Sequence, residues 1–204
     1  MNFRKAFDHL KSDKVMSFLI LKFGKIITIE DRYEKNYAKA ISLLIIEQQV
    51  SFKAAITIKK RFNKLINKKT NKDILNIKDE KMQSIGISKR KVNYIKNTFN
   101  YFEEKKIEFE KLEDYKIIEE LVKIKGVGMW TSQMFLIFIM FRLNIFSKGD
   151  LALINSVKKN YGIEKLDDFR LETLTKKWEP YKTIASLLLW KSIENQVFFN
   201  KKKY

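Results

Sequence analysis

The chain has no cysteine and a single histidine, His9. Without thiols there is no disulfide, no thiolate metal centre and no cysteine-held iron–sulfur cluster. One imidazole cannot build a multi-histidine site, which removes most zinc chemistry. There is one proline, Pro180, and there are six glycines in 204 residues. No alternating apolar–polar pattern is sustained between turn signals, so a strand-built fold finds no support. Long apolar runs are missing too. The longest, Met134 to Phe141, is far too short to span a bilayer. Charges interrupt the N-terminal MNFRKAFDHLKSDK throughout, so it does not read as a signal peptide. The expectation is a soluble, intracellular protein, cytoplasmic and nucleoid-associated if its source is prokaryotic.

What the chain does have is positive charge: 42 basic against 24 acidic residues, a net +18. A polyanion is the natural partner, and nucleic acid the first candidate. A lysine-rich source organism would produce the same excess, so motifs must carry the argument. With 45% hydrophobic residues the chain can bury a real core, and its length suits one domain or two closely packed subdomains.

The pattern reads as helix after helix. Helices are predicted at about 13–23, 34–48, 51–66, 79–84, 88–104, 114–124, 129–142, 150–160, 168–177 and 180–198. Ser51, Ser88 and Asp114 stand where N-caps belong. AISLLIIEQQV has the composition of a buried strand, but its length and the preceding YEKNYAK favour a helix. The C-terminal NKKKY is expected to fray.

LVKIKGVGMWTSQMFLIF, residues 121–138, places Gly126 and Gly128 between two helices. Glycines permit a tight turn with positive φ and let another molecule approach the bare backbone. The following helix presents its free N–H groups there, which makes an anion site, and Lys123 and Lys125 add charge beside it. An ordinary glycine C-cap would look the same. Beyond Trp130 comes FSKGDLALINSVKKNYG, with Asp150, twenty residues past that tryptophan, at the start of a predicted helix. Alone, Asp150 is a plain N-cap.

The glycine hairpin, the apolar helix and the loop ending in Gly149-Asp150 together resemble the helix-hairpin-helix DNA glycosylase superfamily, and more closely its 3-methyladenine DNA glycosylase II (AlkA-like) branch. IIEQQVSFKAAITIKKRF (45–62), IGISKRKVNYI (85–95) and WEPYKTIASLLLW (178–190) resemble further segments of that branch, in the right order. The resemblance covers most of residues 40–195. It implies an all-α fold in compact form, without the N-terminal β-domain of larger relatives. It implies two helical subdomains with the active-site cleft between them. One would be a central bundle over 50–145 with the hairpin at 121–132. The other, formed by 1–49 and 146–204, would complete a single domain over 1–204.

The implied chemistry is excision of an alkylated base, such as 3-methyladenine, from double-stranded DNA. The nucleotide is rotated out of the duplex, and positive charge then builds on the sugar as the N-glycosidic bond breaks. By resemblance, Asp150 is the carboxylate that stabilises this charge and orients water. A helix N-terminus favours its charged form. Relatives that also cut the strand carry a nucleophilic lysine at the position of Trp130. Tryptophan has no amine, so the enzyme is expected to leave an abasic site without nicking. Trp130, Trp190 and Met134 match pocket positions, where aromatic faces suit a cationic base; core packing is the alternative for each. Gln48 and Gln49 match residues near the minor groove, and would otherwise be exposed helix-end glutamines. Gly86–Lys89 matches the turn that carries the wedge filling the vacated stack. Ile87 is apolar enough for that task, while Lys89 occupies the family's apolar wedge position. Main-chain carbonyls at Val122, Ile124 and Val127 match a monovalent cation site, so a structural Na+ or K+ is the one ion implied and no cofactor is required. Met129 departs from the proline common at that helix start, and Leu153-Ile154-Asn155 from a stretch that often bears arginine.

Three other readings compete. A non-catalytic DNA-binding protein would use the hairpin only as a phosphate clamp. A glycosylase/lyase for oxidised bases would nick abasic DNA. An RNA-associated basic protein fits the charge but leaves the hairpin–aspartate spacing unexplained. The expected protein is a monomer with no membrane role, and its range of accepted lesions is open.

Overall fold

The computed structural model describes residues 3–200. Most of the tail expected to fray, 201–204, therefore lies outside the described residues. No strand occurs among the described residues, in agreement with an all-α fold, and no helix there is long and apolar enough to cross a membrane. The chain divides into two compact units, residues 33–135 and residues 1–32 with 136–204.

In the unit 33–135, α3 (Tyr37–Glu47), α4 (Phe52–Ile66), α5 (Asn71–Leu75), α6 (Asp79–Gln83), α7 (Lys89–Glu104), α8 (Asp114–Leu121) and most of α9 (Met129–Phe138) follow one another. α3 lies against α7 and α4, and α7 also receives α5 and α6. The reason is apolar periodicity. Val92, Ile95 and Phe99 line one face of α7 and are fully buried, as are Ile41, Ile45 and Ile46 of α3. Each such side chain contributes about 1.5–3 kcal/mol on leaving water. Tyr37, Phe109 and Phe135 meet edge to face at 5.4–5.5 Å, closing the far end of this core.

In the other unit, α1 (Arg4–Leu10), α2 (Lys14–Phe23), α10 (Leu151–Tyr161), α11 (Asp168–Lys176) and α12 (Lys182–Asn195) surround a core built on α12. Ile184, Ala185, Leu188 and Leu189 are wholly buried, against α10 and α2. A polar ladder joins α10 to α12: Ser156 Oγ donates to the Leu189 carbonyl at 2.7 Å, and Asn160 Nδ2 to Ser192 Oγ at 2.8 Å. Asp13 caps α2 by accepting from the Val15 and Met16 N–H groups, and it also accepts from Tyr161 Oη at 2.7 Å. Burial, then the Asp13 charge, raises the Tyr161 phenol well above its ordinary range.

Every predicted helix has a counterpart, and two helices arise where none was predicted, α1 and α5. Ser51 and Ser88 cap α4 and α7, accepting from Ala54 N and Lys91 N at 3.3 and 3.4 Å. Asp114 is not a cap: Glu113 holds that position in α8, without a side-chain bond, and Asp114 is the first helical residue. There its charge still complements the helix dipole.

Candidate functional site

The unit containing Asp150 presents a carboxylate fixed from two sides. Asp150 is the N-cap of α10, and its Oδ1 accepts the Leu153 N–H at 2.9 Å. The same oxygen accepts the indole N–H of Trp190, from α12, at 3.4 Å. The preceding loop is pinned by Thr183, near the start of α12. Thr183 Oγ1 donates to the Arg142 carbonyl at 2.7 Å and accepts the Ile145 N–H at 3.1 Å, while its own N–H reaches the Leu143 carbonyl at 2.9 Å. One helix thus holds both the loop that delivers the aspartate and the indole that orients it. Asp150 retains 9% exposure, so the group is largely desolvated but not sealed.

Behind Trp190 lies Phe138, stacked at 5.8 Å with an interplanar angle of 29°. The guanidinium of Arg32 sits 3.8 Å from the centre of the same Phe138 ring, a cation–π contact. Trp190 is half-buried and can offer ring surface. The sequence pattern alone carried no sign of Phe138 or Arg32 at this site, because both come from distant elements.

In the other unit the hairpin follows α8. The turn closes with Val127 N–H on the Ile124 carbonyl at 2.9 Å, and Ser132 N–H then bonds the Gly128 carbonyl at 3.0 Å as α9 begins. Of the two hairpin glycines, Gly126 alone uses the glycine-specific backbone, with φ +102°. A Cβ there would lie 2.1 Å from Tyr94 Cγ, so the α7 ring rests directly on the bare Cα. Gly128 needs no positive φ, and a Cβ there would meet nothing within 4 Å. The expectation of positive φ at the hairpin therefore applies to one glycine. The other leaves open backbone at the start of α9, where the first-turn N–H groups have no intrahelical acceptor. Lys125 is exposed. Lys123, also exposed, pairs with Glu120. Trp130 is half-buried in the first turn of α9, and Met129 before it is exposed.

Two expectations change. Met134 is 1% exposed, within the core, and has no surface to offer a base. Ile87 is 2% exposed, and a side chain committed to its own core cannot fill a gap in a base stack. Gly86, Ser88 and Lys89 of this turn are exposed, as is Arg90 just after it. Gln48 is not a free helix-end glutamine. Its Nε2 donates to the Gly126 carbonyl and to Thr131 Oγ1, both at 3.0 Å. Gln49 is exposed with φ +54°, and its Oε1 accepts from Arg90 Nη2 at 3.2 Å.

Among the described residues no group of three or more His, Cys, Asp or Glu is placed to hold a metal ion. The main-chain oxygens of Val122, Ile124 and Val127 are a different donor set, uncharged and suited to a hard ion of low charge. Ile124 O already accepts one N–H, and a carbonyl has a second lone pair.

The family described as HhH-GPD superfamily base excision DNA repair protein matches residues 43–180. The protein YfjP of Bacillus subtilis is 31% identical over 165 residues, which is 74% of this chain but only 56% of YfjP. The alkylbase DNA glycosidase-like protein mag2 of Schizosaccharomyces pombe is 32% identical over 199 residues, 93% of both chains. The solved structure of 3-methyladenine DNA glycosylase (Mag1) from the same yeast, in complex with abasic DNA, superposes with a TM-score of 0.82 at 26% identity, over 93% of this chain and 97% of that one.

Proposed function

The chain belongs to the HhH-GPD superfamily of base excision DNA repair proteins, and from that premise we propose that it excises alkylated bases from double-stranded DNA as a monofunctional glycosylase. The observation that carries this reading is the Asp150 carboxylate, held by Leu153 N–H and Trp190 Nε1–H in a pinned loop. Two N–H donors keep the group aimed without neutralising it.

In the reaction, the nucleotide leaves the stack at a cost on the order of a few kcal/mol. The C1′–N bond then breaks, and its electron pair departs with the base. Positive charge develops on C1′ and the ring oxygen, and the negative charge of Asp150 stabilises it. Water adds to C1′ and surrenders a proton, for which the carboxylate is the nearby acceptor. An alkylated base carrying positive charge is an activated leaving group and needs no enzymatic acid, in keeping with a chain whose one histidine, His9, is bonded to the Lys177 carbonyl. Trp130 and Trp190 offer aromatic faces that favour such a cation by roughly 0.5–2 kcal/mol per contact. Neither has an amine to attack the sugar, so the product is an intact strand with an abasic site. Gly126 to Met129, Lys125, Lys89 and Arg90 supply phosphate contacts, with Na+ or K+ on the hairpin carbonyls as a structural ion. We take the working unit to be a monomer.

The test is incubation with duplexes carrying 3-methyladenine, 7-methylguanine, hypoxanthine and 8-oxoguanine, each with and without alkali. Release of a methylated base, with strand breaks only after alkali, is expected. Breaks without alkali would identify a lyase, and binding with no base release would identify a non-catalytic DNA-binding protein.

A further inference from the structure

Lys91 is the one lysine that the core of the 33–135 unit takes in among the buried residues; it is 9% exposed. It stands in the first turn of α7, where Lys89, Arg90 and Lys91 follow one another and no acidic residue is present. Three cations at a helix N-terminus oppose the helix dipole, and burying one of them adds a desolvation cost. Burial, aided by the charge of Arg90, lowers the Lys91 pKa below the ordinary lysine value. A placement that violates two local rules calls for a compensating role.

Its partners supply one. Lys91 Nζ donates to the Ile46 carbonyl at 2.8 Å and to the Gln48 carbonyl at 2.6 Å. These belong to the last turn and C-cap of α3, where carbonyls lack helical partners and a cation is favoured. Gln48, thus held by its backbone, turns its side chain to the Gly126 carbonyl and Thr131 Oγ1. Tyr94, three residues beyond Lys91 on the same face of α7, packs on Gly126. The contacts close a ring: α7 to the end of α3, α3 to the hairpin, the hairpin back to α7. The segments so joined carry residues to which phosphate or groove contacts are assigned above: Gln48 and Gln49, Lys89 and Arg90, and Gly126 to Met129.

We propose that Lys91 is a positioning residue for DNA binding, a buried cationic C-cap that acts through Gln48 to set the hairpin and the α3–α4 turn in one fixed register. Lys91 does not touch DNA. It makes three separate backbone segments behave as a single rigid surface, so that phosphates meet them preorganised. The inference rests on the DNA-repair reading above.

The experiment compares the full-length protein with Lys91→Met, Lys91→Arg, Gln48→Leu and the Lys91→Met/Gln48→Leu pair. Affinity is read on a duplex with a reduced abasic site, and rate on an alkylated duplex under saturating single-turnover conditions. Losing two charge-assisted hydrogen bonds should weaken binding about tenfold or more, while the saturating rate stays within about twofold. Lys91→Arg should recover most of the affinity. Gln48→Leu should reproduce the loss with Lys91 in place, and the double variant should be no weaker than the worse single one, because both cut the same ring. Wild-type affinity in both Lys91→Met and Gln48→Leu would overturn the proposal. So would multiplicative losses, or a saturating rate that falls in step with affinity. If Lys91→Met does not fold, Gln48→Leu and Lys91→Arg decide the matter. A wild-type protein that does not bind the abasic duplex would instead defeat the DNA-repair reading itself.

Discussion

Adding one methyl group at Gly126 and at Gly128 should have opposite consequences. At Gly126 the backbone has φ +102° and Tyr94 occupies the space a Cβ needs, so Gly126→Ala is expected to destabilise the protein by about 1–3 kcal/mol, read as a lower Tm. At Gly128 there is room. Gly128→Ala should leave Tm within a degree or two and still weaken DNA binding, because the methyl stands where a phosphate would approach. Loss of stability without loss of affinity at Gly128 would remove that glycine from the DNA contacts. Trp190→Phe isolates another single interaction. It keeps an aromatic ring on Phe138 and deletes the N–H that reaches Asp150. One hydrogen bond contributes about 0.5–1.5 kcal/mol, so excision under single-turnover conditions should slow about two- to tenfold, with DNA affinity unchanged.

Between helices, Glu120 gives a prediction with a definite pH window. It joins α8 to α7 by accepting from Tyr101 and Lys105, and it pairs with Lys123 in the hairpin. The Lys123 hydrogen bond first, and then that of Tyr101, push its pKa from 4.5 down to about 2. A depressed carboxylate stabilises the fold above its unfolded pKa and loses that contribution as pH falls through the folded value. Glu120→Gln should therefore be less stable than wild type at pH 7, by under about 1 kcal/mol given solvent screening. The two should converge between pH 4.5 and about 2, as followed by urea denaturation. The same pair of helices shows how far elements could be read from residues. The hydrophobic periodicity of α7 and the cap at Ser88 were legible because both are local. The end of α8 was not. The prediction ran to 124, whereas the helix stops at Leu121, since the turn to the hairpin depends on Tyr94 and Gln48 from elsewhere. α1 and α5, of seven and five residues, carry few periods of their own and are held by packing against α2 and α7.

Across the molecule, the net charge of +18 makes binding a matter of salt. Each phosphate neutralised contributes a slope of about −0.9 in log affinity against log salt, so a slope steeper than about −3 is expected for a protein gripping a duplex through a hairpin and a basic helix start. A flat dependence would mean the lysines are ordinary surface. The same scale explains what was readable of the site. Asp150, the glycine hairpin and Trp130 stand in continuous motifs, and resemblance could align them. Lys91, Phe138 and Arg32 act across long sequence separations through contacts that no local pattern encodes. Of these, only Lys91 left a trace, as the third cation in a helix start that should have carried none. Ile87 and Met134 show the converse: an apolar residue in a family position looks the same in sequence whether it faces a ligand or the core. The central claim is that a negative charge at position 150 drives base release, and Asp150→Asn tests it most directly. The asparagine can still cap α10 and accept from Trp190. The account predicts an unchanged fold and abasic-duplex affinity, with single-turnover excision of an alkylated base slowed about 100-fold or more. Excision at the wild-type rate by that variant would contradict it.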